Sequence, residues 1–431
     1  MEQFEWIKLR GFYENELTNH ILSFWLSRCE DYENGGYFNC FDNTGEHLIS
    51  KDKYTWSQAR FVWMFAKLAD EELGVFSKSE RENFLQLSQR GCEFLMKHCL
   101  LGENDWRCVY LMEANGSPKH VDQWEPLDMS IYADCFVVLG MAAFATVSRR
   151  MDSYEFAKKL YASIIKRIHE NDFHTLPYPL SKKFRAHGIP MILLNVTKEL
   201  YDAALKLESS YVETLTQYLE YFADDILIHF TDENNTIHEV ISSDNQWVDG
   251  LLGQHANPGH TIEDMWFMFD AAEILKRPDI EEKALHIVLQ ALENGWDSEY
   301  GGILHYCDIK GGIPSQLPSD KNLSEAEEPT VLQVVDGWSD KLWWVHSEAL
   351  YTTLRCYAKT GDNKYLNWHN RIFDYTFRVF PNTNPEIREW KQILQRNGEP
   401  QEKVVALPVK DPFHITRNLI LILKQIKQEL R

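Results

Sequence analysis

Apolar side chains recur along this chain at i, i+3, i+4 and i+7, the spacing that gathers them on one face of an α-helix. The pattern predicts twelve amphipathic helices, at about 12–29, 53–70, 81–99, 129–148, 152–169, 187–206, 209–229, 260–276, 279–294, 340–360, 363–379 and 413–430. Few segments alternate as strands do, and those that do lie between helices. Residues 34–45 (NGGYFNCFDNTG) alternate, turn and close on Gly as a small hairpin would, and the same shape returns at 106–116 (WRCVYLMEANG), 300–311 (YGGILHYCDIKG) and 390–398 (WKQILQRNG). Each follows an odd-numbered helix and precedes an even-numbered one, so the repeating unit is helix, hairpin-like loop, helix.

A repeat of fixed element order marks an architecture in which no single helix pair buries its own apolar face. Twelve helices in six pairs predict an all-α fold, an (α/α)6 barrel with one set of helices inside the other. An open solenoid is the alternative, but it needs a polar capping repeat, and the last helix (FHITRNLILIL from 413) is apolar enough to be covered on more than one side. No Pro/Gly/Ser-rich linker divides the chain, so residues 1–431 are read as one catalytic domain. The least regular stretch is 312–340, which contains SEAEEP, and a loop of that length is either a lid or an insertion.

Composition adds solubility and exclusions. Of 431 residues 44% are hydrophobic and 13% aromatic, which is incompatible with disorder, while a net charge of −21 disfavours nucleic acid or any other polyanion as partner. No stretch approaches the ~18 apolar residues of a membrane span, and the acidic start MEQFEW is unlike a signal peptide, so a cytoplasmic location with no membrane partner is expected. Eight cysteines without a CxxC pair are expected to be reduced, buried thiols. HExxH, zinc-spaced Cys/His clusters, a P-loop and GxGxxG after a strand are all missing from the sequence, so no metal and no required cofactor is expected, and any nucleotide effector has no recognisable loop.

The chemistry concentrates at two helix starts. Asn257-Pro258-Gly259-His260 and Asp411-Pro412-Phe413-His414 share a capping side chain, a Pro and a His in the first turn, where the helix dipole favours neutral imidazole. A neutral imidazole in a cleft is a proton acceptor. One turn on, each helix offers a polar partner on the same face, Glu263 after His260 and Arg417 after His414. Both starts belong to even-numbered helices, so both lie at the same end of the same ring. Other polar residues sit in aromatic runs on even-numbered helices: Arg60 between Trp56 and Trp63, Glu348 after Trp343 and Trp344, Asn195 and Asp134. Arg60 and Glu348 are either a mutual buried ion pair or fixed polar groups of a cavity lined with rings, and Trp266 extends that wall. Such a wall suits a small neutral sugar, whose C–H faces pack on rings while its hydroxyls need Arg, Glu and Asn. His255, His305 and His346 are weaker candidates.

These motifs carry a resemblance. GGYFNCFDNTG (35–45), DKYTWSQARFVWMF (52–65), ADCF (133–136), GQHANPGHTIEDMWF (253–267), GWDSEYGGI (295–303), KLWWVHSEAL (341–350) and PFHITRNL (412–419), in this order, resemble the N-acylglucosamine 2-epimerase family, also known for its renin-binding member. The resemblance implies an (α/α)6 barrel that epimerises a sugar at C2, interconverting N-acetylglucosamine and N-acetylmannosamine without a redox cofactor. It places the catalytic histidines at His260 and His414. It places substrate contacts at Arg60, Asn195 and Glu348, beside which Glu263, Arg417 and Trp344 complete the expected site, and by analogy it implies a homodimer. The loops at 312–340 and 119–128 look longer than the family's. The alternatives are an aldose–ketose isomerase or a 2-epimerase for mannose, glucose or cellobiose-type sugars, and a non-catalytic carbohydrate- or protein-binding barrel.

Overall fold

A computed structural model describes residues 1–121, 126–315, 317 and 328–431; parts of the two long loops, at 122–125, 316 and 318–327, lie outside the described residues. Twelve long helices run in the order expected: α1 (Gln3–Asn15, continuing through a π-helical turn at Glu16–Ile21 into Leu22–Leu26), α2 (Thr55–Leu68), α3 (Lys78–His98), α4 (Ile131–Ser148), α5 (Met151–Glu170), α6 (Gly188–Lys206), α7 (Val212–Asp225, with a π turn at Ile226–Phe230), α8 (Pro258–Leu275), α9 (Pro278–Gly295), α10 (Trp343–Thr360), α11 (Asn363–Val379) and α12 (Phe413–Glu429). Two short helices, Gly250–Gln254 and Pro329–Gly337, were not foreseen. The second lies in the 312–340 stretch, where the Thr330 hydroxyl and Gln333 amide donate to the carbonyls of Pro179 and Pro177.

The even helices form the inner ring. α2 packs on α4, α4 on α6, α6 on α8, α8 on α10, α10 on α12 and α12 back on α2, so the barrel closes. Each inner helix also packs on the outer helix that follows it, and α12 packs on α1. Those inner-to-outer links are short turns. Left-handed residues at Arg149, Lys276 and Gly361 end α4, α8 and α10, and the next helix starts within a few residues. Burial follows the layers: α2 buries every residue except Lys67, whereas outer α11 buries only the stripe Tyr365, His369, Ile372, Tyr375 and Thr376. One apolar core runs from Trp6 in α1 to Ile426 in α12.

α4 corrects one expectation. Its 18 residues, Ile131–Ser148, are long and apolar enough in composition to cross a membrane. The window is 83% buried inside the barrel, because a helix flanked by α2, α5 and α6 is covered nearly all round. Gly140 lets α2 approach it closely, since a Cβ there would stand 2.5 Å from the Ala59 carbonyl oxygen.

The outer-to-inner links are the long ones, and all emerge at the end of the barrel where the inner helices begin. There the lead-in to each inner helix is zipped to the loop preceding the next. Lys53–Tyr54 pairs antiparallel with Leu111–Met112, Phe184–Ala186 with Val240–Ser242, His255–Ala256 with Cys307–Asp308 and Lys341–Leu342 with Ile393–Leu394. A bridge between Ser130 and Thr175 and hydrogen bonds between Asn39 and Lys410 complete the circuit. Buried lysines brace it. Lys53 Nζ donates to Asp31 (2.7 Å) and the Gly35 carbonyl, and Lys341 Nζ to Asp297 (3.0 Å) and the Gly301 carbonyl, the same Asp-x-x-x-Gly-Gly unit twice. His260 and His414 sit beneath this crown.

Candidate active site

His260 and His414 lie in the first turns of α8 and α12, and both line a cavity of about 120 Å³ under the crown. Asn257 caps α8 by accepting the His260 amide (3.1 Å), with Pro258 in the first turn as expected; α12 differs, since Pro412 itself holds the capping position and Asp411, one residue further out, accepts the Phe413 amide (2.8 Å). The Trp344 indole stands between the imidazoles, its ring centroid 5.6 Å from His260 and 5.4 Å from His414. Gly259 makes that approach possible, because a Cβ there would lie 2.6 Å from the Trp344 ring.

Each imidazole is held at Nδ1 by a buried carboxylate. His414 Nδ1 is 2.7 Å from Glu348 Oε1, and His260 Nδ1 is 3.0 Å from Glu239 Oε2. A carboxylate only accepts, so Nδ1 carries the hydrogen in both rings and Nε2 is left as the basic nitrogen. His414 Nε2 lies 3.3 Å from an Arg60 guanidinium nitrogen, which donates to it. Arg60 is anchored by Asp411 and lies over Phe136, Phe413 and Trp56, at 4.1, 4.7 and 5.0 Å from the ring centroids.

Behind His414, Arg417 donates to both Glu263 and Glu348, and Trp266 Nε1 donates to Glu348 Oε2 at 2.9 Å. Burial would raise the Glu348 carboxyl, but Arg417 and His414 outweigh it and hold it to about 2. Glu263, Glu348 and His414 are the one group among the described residues with ligand atoms close enough to share a cation, within 4.8 Å of one another. The Arg417 guanidinium already occupies that position.

The structure thus brings together His260, His414, Arg60, Glu263, Glu348, Arg417 and Trp344. It does not pair Arg60 with Glu348. Asn195 and the rings of Trp63 and Trp266 are elsewhere, lining a second cavity of about 1150 Å³ at the far end of the inner ring. Asp134 faces away from the site and binds Arg167 at 2.6 Å. His346 is doubly satisfied by the Leu342 carbonyl (2.8 Å) and the Ile303 amide (3.0 Å), and His255 bonds the Leu251 carbonyl. His305 stacks on Tyr306 with centroids 3.9 Å apart.

Sequence reasoning missed Glu239, which lies in a loop without helical periodicity, and His187, which caps the start of α6 and was read only as the first residue of that helix. It also took Asp411 for a cap alone, and overlooked the apolar wall of Tyr132, Phe136, Tyr178, Met191 and Ile192 opposite the charged groups. Val405, Ala406, Leu407 and Val409 cross the mouth of the cavity.

The sequence model of the N-acylglucosamine 2-epimerase (GlcNAc 2-epimerase) family matches residues 36–417. The N-acylglucosamine 2-epimerase of Bos taurus is 28% identical over 409 residues, covering 94% of this chain and 88% of that protein. Among solved structures, the cellobiose 2-epimerase of Bacillus thermoamylovorans B4167 superposes with a TM-score of 0.76 at 19% identity, over 98% of this chain and 100% of that one. A D-mannose isomerase superposes at 0.72 and 17% identity, over 96% and 97%. At such identities the two structures speak for the barrel alone. With the family match running through both histidine motifs, this chain belongs to the N-acylglucosamine 2-epimerase family and is an enzyme of the isomerase class.

Proposed function

We propose that the chain is a sugar 2-epimerase that interconverts N-acetylglucosamine and N-acetylmannosamine using its own side chains as acid and base. The observation that carries this reading is the pair of imidazoles on either side of Trp344, each with Nδ1–H committed to a buried carboxylate and Nε2 left basic. Opening of the sugar ring exposes the C1 carbonyl, which acidifies the hydrogen on C2. One histidine takes that proton at Nε2, the C–H electron pair moves into the C1–C2 bond, and the carbonyl pair becomes the O1 oxyanion of an enolate that still carries the acylamino group at C2. The second histidine, as imidazolium, returns a proton to the opposite face of C2 and the C1 carbonyl re-forms. Atoms balance, one stereocentre inverts, and the two histidines exchange protonation states.

Arg60 supplies donors and charge for the developing oxyanion, the kind of fixed stabilisation that contributes most when buried. Trp344 offers a flat apolar face to the sugar. The wall of Phe136, Met191 and Ile192 offers an acyl methyl a surface that an unsubstituted hexose would leave unfilled. The net charge of −21 favours a neutral substrate, and the bovine relative is itself an N-acylglucosamine 2-epimerase. The reading includes a cytoplasmic setting, supported by eight buried free thiols, and a homodimer, which rests on the family alone and is checked by analytical ultracentrifugation.

Incubation with N-acetylglucosamine, N-acetylmannosamine, mannose, glucose and cellobiose in deuterium oxide, followed by NMR, tests the reaction. Loss of the C2 proton signal from both N-acetylhexosamines is expected. A ketose product would place proton return at C1 and make the enzyme an aldose–ketose isomerase, and absence of exchange across the panel would sink the reading.

A further inference from the structure

His260 and His414 are held alike at Nδ1, but their carboxylates are compensated differently. Glu348, behind His414, is bound by Arg417, a cation at every accessible pH. Glu239, behind His260, is bound by another histidine. The pairing of Phe184–Ala186 with Val240–Ser242 sets Ala186 opposite Val240, and the His187 amide donates to the Glu239 carbonyl at 2.9 Å, so the two side chains leave the ladder side by side. His187 Nδ1 stands 3.4 Å from Glu239 Oε1, and His187 Nε2 stands 2.9 Å from Asp264 Oδ2. Both ring nitrogens face carboxyl groups: Glu239 is held anionic by its two histidines, and Asp264, which burial pushes up, is drawn back toward the anion by its bond to His187, and an ionised carboxylate only accepts. Each therefore carries a hydrogen, and His187, with none of its side chain exposed, is a buried imidazolium.

Burial opposes that charge, yet the Asp264 and Glu239 bonds outweigh it and raise His187 to about 10. Burial likewise works to raise Glu239, while His260 and His187 hold it well below the usual carboxylate range. The remaining titratable neighbours are quiet. Burial keeps His255 and His305 neutral and Tyr132, Tyr306 and Cys307 protonated, and Glu263 is committed to Arg417. Of the charged groups that share its cavity, Arg60 is paired with Asp411, Arg417 with Glu263 and Glu348, and His414 lies across Trp344, so Glu239, with His187 and Asp264 behind it, is the charge in direct contact with His260.

We infer that Glu239 and His187 are positioning residues for His260: Glu239 fixes its tautomer by accepting from Nδ1, and the buried imidazolium of His187 binds and compensates the Glu239 charge beside that ring, as Arg417 binds and compensates Glu348 beside His414. The inference rests on the reading of His260 as one of the two proton-transfer groups. It predicts opposite signs for two neutral substitutions. Glu239→Gln removes the anion beside His260, so the acid limb of kcat/KM, in the direction where His260 takes the proton, moves to lower pH by about one unit. His187→Gln leaves Glu239 less compensated and moves the same limb to higher pH by a similar amount. In the reverse direction, where His260 gives the proton, the alkaline limb moves with the same signs.

The experiment is the pH dependence of C2 deuterium exchange, measured from each epimer, alongside a 15N NMR titration of His260 in the intact enzyme. A merely structural role would lower activity at all pH values and leave the limbs in place. Limbs that do not move in a variant that still exchanges, or that move the same way in both variants, would overturn the inference. Should His187→Gln fail to fold by circular dichroism, Glu239→Gln alone decides by the direction of its shift. A wild-type enzyme without C2 exchange sinks the epimerase reading instead, while the NMR titration still reports whether Glu239 and His187 set the His260 pKa in opposite directions.

Discussion

The cleft at the front of the barrel and the bowl at its rear meet at Arg417, which lines both, yet they are built on opposite principles. The rear cavity is roughly ten times larger and rich in charge, but many of its charges are spent on one another. Lys67 binds Glu199 and joins α2 to α6, Arg355 binds Asp270 at 2.7 Å and joins α10 to α8, and Lys424 binds Asp70 at 2.8 Å beyond the end of α2. These pairs stitch the inner ring together where short turns leave little else to do so. At the front, long loops are zipped into a crown, and beneath it two imidazoles keep a basic nitrogen apiece while every carboxylate around them is committed. Cavity size is therefore a poor guide to function here. The difference that matters is whether basic nitrogens escape being consumed in ion pairs, as at Nε2 of both front imidazoles, where His414 takes only an Arg60 N–H.

The contrast breaks most severely if removing a front imidazole leaves catalysis intact. His414→Ala should reduce C2 exchange by about a thousandfold, the scale of a lost acid–base group, with the substrate still able to pack on Trp344. Exchange rates by NMR together with binding by calorimetry check this, and exchange within tenfold of wild type would remove His414 from the chemistry.

The rear makes the complementary prediction. Glu199→Leu strands Lys67 and leaves the Trp63 indole without its acceptor at 2.8 Å, and should cost about 3 kcal/mol of stability. Pairing it with Lys67→Met should recover most of that loss, because no uncompensated charge remains. Both proteins should exchange C2 within about threefold of wild type, since no partner of His260 or His414 is touched. Urea unfolding and exchange assays on the two variants separate the roles, and a large fall in exchange at unchanged stability would place the rear bowl in the mechanism.

Arg60→Lys probes the front more finely. The guanidinium reaches Asp411 with one nitrogen and His414 with another while lying flat on Phe136. An ammonium reproduces the charge but not the fork, so kcat should fall by about a hundredfold, with a smaller change in KM. An unchanged kcat would mean that Arg60 acts through its charge alone.

The same contrast explains what could be read before any coordinates. Twelve helices were legible because burial in two layers imposes a 3.6-residue period, broad for α2 and narrow for α11. The start of α1 was placed about two and a half turns late because its first turns bury little: among the described side chains of residues 3–12 only Trp6 is buried, so the apolar stripe becomes legible only from Tyr13 and Leu17 onward. His260 and His414 were legible from the Asx-Pro-x-His run each shares at a helix start, although only Asn257 caps its helix and Pro412 itself holds that position at α12. Glu239 and His187 were not, because a two-stranded ladder between distant loops brings them together and leaves no periodic trace. Asn195 and Trp63 look like cavity residues in sequence and are, but of the other cavity: an inner helix faces the barrel interior along its whole length, and periodicity does not say at which depth.

The smallest expected effect concerns the crown itself. His346 donates from Nδ1 to the Leu342 carbonyl and accepts the Ile303 amide at Nε2, so it ties the start of α10 to the loop after α9 only as a neutral ring. A proton on Nε2 would set two donors against each other. Burial accordingly lowers its pKa to about 3, against about 6.5 for an unfolded histidine. Because the folded value is the depressed one, the stabilisation is complete above pH ~6.5 and drains away as pH falls toward the folded value, at up to ~1.4 kcal/mol per pH unit. His346→Gln supplies an amide that makes both bonds without titrating. It should be somewhat less stable than wild type at pH 8 but lose less stability between pH 6.5 and 5, by up to ~1.4 kcal/mol per unit, as read from urea midpoints at each pH. Parallel lines for the two proteins would mean that this histidine does not couple the crown to pH, and that the acid sensitivity of the front face comes from the site beneath it.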